Sequence, residues 1–139
     1  MVNLYTNTPP MKNRFPILVL FIALAAGCSQ GQNKSILAPQ AFADKLKATS
    51  GSTLIDVRTP EEFAEGHLAG AKNFDWNGEH FEHQVMGLDK TKPVFVYCLK
   101  GGRSASAASR LRDMGFKEVY ELEGGTSNWQ AAKLPLTKE

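Results

Sequence analysis

The sequence predicts an α/β domain with a mainly parallel central sheet and helices on both faces. Residues 53–57 and 93–97 are short apolar runs without alternation, rich in β-branched and aromatic side chains, which is typical of strands buried on both faces. The segments around these runs have apolar residues at the three- and four-residue spacing of helices. Strands that alternate with helices are expected to form right-handed crossovers and a parallel sheet.

Two helices are predicted in the first half of the domain. Residues 39–46 place Phe42 and Leu46 four positions apart, on one face of a helix. Thr59 precedes Pro60 and two acidic residues. A capping threonine, a proline at the first helical position and acidic residues in the first turn together mark the start of a helix.

The second half of the domain continues the alternation. Residues 104–114 repeat small and apolar side chains at helical spacing, and Gly115 is the predicted stop. Residues 117–122 are interpreted as another strand. The Gly124-Gly125 pair is predicted to turn into a last helix, which carries Trp129.

Residues 1–27 differ from the rest and are predicted to be a signal peptide of the lipoprotein type. Lys12 and Arg14 precede an unbroken apolar stretch at residues 15–27, which is too short to span a bilayer comfortably. The stretch ends in LAAGC, which resembles the bacterial lipoprotein cleavage box, and this resemblance implies that Cys28 receives lipid. An ordinary signal peptide that leaves Cys28 as a free thiol is the alternative.

The resemblance also implies a location. Ser29 follows Cys28 in place of the aspartate that favours retention in the inner membrane, so an outer-membrane anchor facing the periplasm is expected. Residues 28–35 are interpreted as a polar tether and residues 36–139 as the domain. Met11 is an alternative start of the chain.

Composition and charge exclude several classes of partner. The chain has 16 basic and 14 acidic side chains, a net charge of +2, and no long Lys/Arg run, so we expect no nucleic-acid partner. No Cys pair has metal-ligand spacing. His80 and His83 lie three apart, which we interpret as a solvated helical face, and we expect neither a metal nor another cofactor.

Cys98 is the candidate for chemistry. It follows a predicted buried strand, and sites in parallel sheets form beyond the carboxyl ends of strands. The next four residues, Leu99-Lys100-Gly101-Gly102, form a turn whose glycines let backbone N–H groups point inward, and Arg103 then starts a helix. Such N–H groups, with the charges of Lys100 and Arg103, are expected to lower the thiol pKa. The alternative is a buried cysteine that only fills space.

Three blocks of the chain, read together, suggest a family. Residues 54–74 read LIDVRTPEEFAEGHLAGAKNF, residues 97–104 read YCLKGGRS, and residues 122–129 read LEGGTSNW. In this order they resemble the signature segments of single-domain rhodaneses, which are sulfurtransferases. The resemblance extends from about residue 36 to residue 136, essentially the whole predicted domain.

The resemblance implies a mechanism and roles for the loop. Cys98 would take a sulfane sulfur from thiosulfate or a persulfide and, as a persulfide, pass it to a thiol or cyanide acceptor. Arg103 is implied as the second catalytic residue, acting on loop orientation and charge. The substrate-binding positions are the loop residues Leu99, Lys100, Gly101, Gly102 and Arg103.

Residues outside the loop receive supporting roles. Asp56 and Arg58 match the family's Asp-Val-Arg motif and are expected to brace the loops through an ion pair or hydrogen bonds. Glu62 is four residues from Arg58, and this spacing predicts that the two pair. Trp129 is expected in the core or at the edge of the pocket.

Other functions remain open at the level of sequence. Related phosphatases and arsenate reductases have one more residue between the cysteine and the arginine, and one residue adds up to about 3.6 Å of chain. The Cys98 to Arg103 spacing therefore favours sulfur over phosphate. A noncatalytic binding module is a further alternative, which the retained Cys98 disfavours. A thiol redox role with an external reducing partner is another.

Overall fold

The computed structural model describes residues 35–139, which form five strands and five helices. The predicted signal peptide, Cys28 and most of the predicted tether lie outside the described residues. Within residues 35–139, no helix has the length and hydropathy needed to cross a membrane. The elements in chain order are β1 Ile36–Leu37, α1 Pro39–Ala48, β2 Thr53–Asp56, α2 Pro60–Glu65, β3 Lys72–Asn73, α3 Phe81–Met86, β4 Val94–Tyr97, α4 Gly102–Asp113, β5 Val119–Leu122 and α5 Gly125–Ala131.

The five strands form one sheet in the order β1-β5-β4-β2-β3, and every pair of neighbouring strands is parallel. This confirms the predicted fold class. The predicted strands at residues 53–57, 93–97 and 117–122 correspond to β2, β4 and β5. The two outer strands, β1 and β3, were not predicted, because each is only two residues long and has no recognisable pattern.

Helices cover both faces of the sheet, which explains why the central strands are apolar without alternation. On one face, Ile55 and Val96 pack with side chains of α3 and α4. On the other face, Phe95 and Tyr97 pack with Phe42 of α1 and with the indole of α5, Trp129. All four residues of β4 are buried for this reason. The prediction that Trp129 lies in the core is confirmed.

The strand β4 lies at the centre of the sheet, between β2 and β5. The residue that follows β4 therefore emerges at the middle of the carboxyl edge. The backbone N–H of Val57 donates to the carbonyl of Tyr97 at 3.0 Å, which ties the ends of β2 and β4 together. The Tyr97 hydroxyl accepts a hydrogen bond from the N–H of Leu68 at 3.0 Å and so anchors the loop after α2 to the same edge.

Candidate active site

Cys98 directly follows β4, and the chain turns around its sulfur. The thiol is buried, with 1% of the residue exposed. The backbone N–H of Gly101 donates to Sγ at 3.0 Å, and Oγ of Ser104 lies 3.4 Å from Sγ. Gly101 has φ +107°, a left-handed conformation that side chains disfavour, and it precedes the first residue of α4. The predicted inward turn of the loop is therefore present.

The surroundings of Sγ favour the thiolate. Burial of Cys98 opposes ionisation of the thiol, but hydrogen bonds to Sγ outweigh this effect. The donors are the Ser104 hydroxyl and the backbone N–H groups of Ser104, Gly101 and Lys100. The pKa of Cys98 is therefore lowered from its ordinary value. The backbone N–H of Lys100 is one of these donors, in agreement with the predicted inward turn of the loop. A thiolate held at the start of a helix is a nucleophile.

The helix α5 supports the loop from the other side. The N–H of Thr126 donates to the carbonyl of Cys98 at 2.9 Å, and the N–H of Ser127 donates to the carbonyl of Leu99 at 3.0 Å. Gly125 has φ +59°, and a Cβ there would overlap the Cys98 carbonyl oxygen and approach the Leu99 carbonyl group within 2.6 Å. The sequence therefore needs glycine at 125 so that α5 can reach the loop.

Arg103 is held by α2 and not by the thiol. Its Nη1 and Nη2 atoms donate to the two carboxylate oxygens of Glu62 at 2.6 and 2.8 Å. Glu62 also accepts from the N–H of Thr59, which caps α2 in a capping box. The prediction that Glu62 pairs with Arg58 is wrong in its partner, because the loop after β4 brings Arg103 against the first turn of α2.

Asp56 and Arg58 form a second, more deeply buried pair at the end of β2. Nη2 of Arg58 lies 2.6 Å from Oδ2 of Asp56 and donates to the carbonyl of Gly66 at 2.7 Å. The side-chain amide of Asn73 donates to the carbonyls of both residues. The predicted ion pair is therefore confirmed, and it joins the end of β2 to the segment after α2.

Of the predicted loop residues, Lys100 and Gly101 direct their N–H groups at Sγ, whereas Arg103 bonds Glu62. Leu99 and Lys100 are exposed at the surface, whereas Cys98 lies beneath them. Trp76 and Phe81 pack edge to face, with ring centroids 5.0 Å apart, against the same core cluster that contains Cys98. In the part of the chain that the structure describes, no group of three or more His, Cys, Asp or Glu side chains could hold a metal ion.

The sequence did not reveal the roles of two residues of the site, Ser104 and Glu62. Ser104 was treated only as a helix-start residue. Its position one residue after Arg103, in the first turn of α4, faces the thiol because the loop folds back over Sγ. The sequence carried a signal for Glu62 in its capping motif but none for its contact with Arg103, 41 residues away.

Comparison with known proteins adds to this geometry. Residues 38–132 match the family model described as "Rhodanese-like domain". The chain is 38% identical over 84 residues to "Thiosulfate sulfurtransferase GlpE" of Ectopseudomonas mendocina, covering 60% of this chain and 74% of that protein. It is 34% identical over 93 residues to the GlpE of Pseudomonas putida strain F1, covering 67% and 83%. The rhodanese-related protein of Thermoplasma volcanium superimposes with a TM-score of 0.65 at 27% identity, covering 74% of this chain and 97% of that one.

The Ser104 contact can be tested by Ser104→Ala. Removal of a hydroxyl donor leaves the thiolate less stable, so the pKa of Cys98 should rise. We expect alkylation of Cys98 by iodoacetamide at pH 7 to slow roughly fivefold, since a hydrogen bond contributes about 1 kcal/mol. Ser106→Ala is the matched control, because Ser106 is exposed and bonds only the carbonyl of Gly102 in the same helix. Equal alkylation rates for S104A and the parent would contradict the conclusion that the Ser104 hydroxyl stabilises the thiolate of Cys98.

The ion pair between Glu62 and Arg103 can be tested by measuring the stability of the protein as a function of pH. The hydrogen bond from Arg103 is the main cause that lowers the pKa of Glu62 from 4.5 to about 2. Because the folded pKa lies below the unfolded one, the stabilisation is complete above about pH 5 and is lost as the pH falls towards 2. Glu62→Gln keeps a capping acceptor and removes the charge. We expect this variant to lose about 1 kcal/mol of unfolding free energy at pH 6.

Urea unfolding of the parent and of Glu62→Gln, from pH 6 to pH 2.5, measures the difference in their free energies of unfolding. The deficit of the variant should shrink as the pH falls. Glu61→Gln is the control, since Glu61 is exposed on the same helical turn. A deficit that stays constant with pH would mean that Glu62 acts by packing and not by charge.

Proposed function

Because the chain belongs to the rhodanese-like domain family and is a rhodanese-type sulfurtransferase, we propose that it moves a sulfane sulfur through a persulfide on Cys98. The donor is thiosulfate or a persulfide, and the acceptor is a thiol or cyanide. The observation that supports this most directly is the buried Sγ, which accepts the N–H of Gly101 at 3.0 Å inside a turn that leads into α4.

In the first step, the thiolate of Cys98 attacks the outer sulfur of thiosulfate. A bond forms between Sγ and that sulfur, the bond between the two sulfurs of thiosulfate breaks, and sulfite leaves with the electron pair. The product is Cys98–S–S⁻. The lowered pKa of Cys98 increases the fraction of the thiol that is ionised and able to attack.

In the second step, the acceptor attacks the outer sulfur of the persulfide. A thiolate acceptor forms a new sulfur–sulfur bond, the bond to Sγ breaks, and Cys98 leaves as the thiolate with which the cycle began. The same N–H groups that lower the pKa of Cys98 thus stabilise its thiolate as a leaving group. Backbone donors directed at a fixed point lose no energy in reorganisation during the reaction.

The charged residues of the loop have separate proposed roles. Lys100 is exposed and attracts an anionic donor. Arg103 is held by Glu62, and its pKa is raised mainly by that hydrogen bond and to a smaller extent by the charge of Cys98. Arg103 therefore fixes the start of α4 and adds positive charge near the sulfur. Asp56 and Arg58 support the carboxyl edge without contacting the transferred atom.

The experiment that tests this function is the intact mass of residues 29–139 before and after thiosulfate, with Cys98→Ser alongside. One added sulfur is a gain of about 32 Da, expected on the parent and absent from the variant. Addition of cyanide should restore the original mass. No gain on a folded parent with a reduced thiol would contradict the thiosulfate reaction and favour a binding module. Hydrolysis of an aryl phosphate would favour the phosphatase alternative.

We also propose that residues 1–27 are removed and that a lipid on Cys28 anchors the domain to the outer membrane, facing the periplasm. The support is the sequence alone, LAAGC after an apolar stretch and Ser29 at the next position. Expression of the full chain in a bacterium with two membranes should place it in the outer-membrane fraction, with a mass that includes the lipid. Cys28→Ser should abolish the lipid, and Ser29→Asp should move the protein to the inner membrane. An unlipidated parent would overturn this proposal.

A further inference from the structure

In the part of the chain that the structure describes, the donors directed at the sulfur of Cys98 are uncharged. They are the Ser104 hydroxyl and the backbone N–H groups of Lys100, Gly101 and Ser104. Such donors suit a single sulfur atom, on which little charge has to be stabilised. A tetrahedral oxyanion such as phosphate or arsenate carries more charge, and arginine binds it best because the planar guanidinium matches two of its oxygens.

Arg103 lies close enough to the sulfur to bind an oxyanion there, but Glu62 holds it. The pKa of Arg103 is raised mainly by its hydrogen bond to Glu62 and also by the charge of Cys98, so its guanidinium lies within electrostatic range of the sulfur. Its Nη1 and Nη2 atoms donate to the two carboxylate oxygens of Glu62 at 2.6 and 2.8 Å. A carboxylate in this two-bond geometry uses the same donors that an oxyanion would use.

The capping box of α2 fixes Glu62 in this position. The carboxylate accepts the N–H of Thr59 at 3.0 Å, and the N–H of Glu62 donates to the Thr59 hydroxyl at 3.3 Å. The hydrogen bond from Arg103 lowers the pKa of Glu62 to about 2, so the carboxylate is charged at neutral pH. The two side chains are 25% and 28% exposed. An anion in solution can therefore reach Arg103 once Glu62 has released it.

We propose that Glu62 is a specificity-determining residue, which withholds Arg103 from anions so that the loop of Cys98 accepts a single sulfur and rejects tetrahedral oxyanions. The proposal rests on the sulfurtransferase function given above, in which only the outer sulfur of the donor meets Sγ. Phosphate and arsenate resemble the oxygen-bearing end of thiosulfate but offer no sulfur to the thiolate. Their exclusion keeps the nucleophile free for a sulfur donor. Glu62 acts through Arg103 and is a positioning residue.

The first arm of the test measures oxyanion binding without sulfur transfer. Inorganic phosphate is titrated at constant ionic strength against the alkylation of the full chain by iodoacetamide, followed by the mass of the peptide that contains Cys98. Glu62→Gln removes the charge that holds Arg103 and keeps a capping acceptor. We expect half protection of Cys98 at a phosphate concentration roughly tenfold lower than in the parent, because hydrogen bonds from a charged donor are strong. Equal protection of the two proteins would overturn the proposal.

Two controls separate the release of Arg103 from a change in net charge. Glu61→Gln removes a charge from the same turn of α2, where Glu61 is exposed. Glu82→Gln breaks a similar ion pair far along α4, in which Nε of Arg110 donates to Glu82 at 2.7 Å. Both variants should keep the half-protection concentration of the parent within about twofold, since surface charges are screened. A shift in either control as large as that in E62Q would overturn the proposal.

A double variant identifies the group that binds the anion. Arg103→Gln in the Glu62→Gln background removes the guanidinium, so protection by phosphate should become as weak as in the parent. Protection that persists in the double variant would mean that another group binds phosphate, and this would overturn the role assigned to Arg103.

The second arm measures sulfur transfer from thiosulfate to cyanide in the presence of phosphate. In E62Q, phosphate should become a competitive inhibitor that raises KM for thiosulfate and leaves kcat unchanged, with an inhibition constant roughly tenfold below that of the parent. A lower kcat with no inhibition by phosphate would mean that Glu62 is only structural, which overturns the proposal. If E62Q gains protection by phosphate while thiosulfate adds no mass to the parent, the proposed function fails and the role of Glu62 stands.

Discussion

The site depends on one property of the backbone: a turn that points its N–H groups inward must point its carbonyls outward. Between Cys98 and Gly101 the chain gives N–H groups to the sulfur, and the carbonyls of Cys98 and Leu99 face away from it. Buried carbonyls need donors. The first N–H groups of α5 supply them, at 2.9 and 3.0 Å, and only glycine at 125 lets the two segments approach this closely.

The charged residues around the site hold its segments together, while neutral N–H and O–H donors act on the sulfur. Both buried or half-buried arginines, Arg58 and Arg103, bond carboxylates and not the sulfur. The pKa of Cys98 is lowered by neutral hydrogen-bond donors, and these outweigh the cost of burial. The arginines instead join separate segments: Arg58 joins β2 to the segment after α2, and Arg103 joins α4 to α2.

The sequence predicts the parts of this arrangement that are local and misses those that depend on distant contacts. The central strands were recognised because both faces of the sheet are covered, which removes alternation from β2 and β4. The capping box of α2 and the glycine turn before α4 were also local signals. The partner of Glu62 was predicted wrongly, because spacing along one helix favours Arg58 while the fold brings Arg103 closer. Ser104 was missed for the same reason, since its contact with Sγ exists only once the loop has folded over the thiol.

Thr126 shows how closely α5 is tied to the loop of Cys98. Its backbone N–H donates to the carbonyl of Cys98, while its buried hydroxyl has no hydrogen-bond partner within residues 35–139. The position of this residue is fixed by the support that the loop needs, because Gly125 must lie against Cys98 and Leu99. A change at Thr126 or Gly125 therefore acts on the loop through the carbonyls of Cys98 and Leu99, and reaches the sulfur only by moving the N–H groups that bond it.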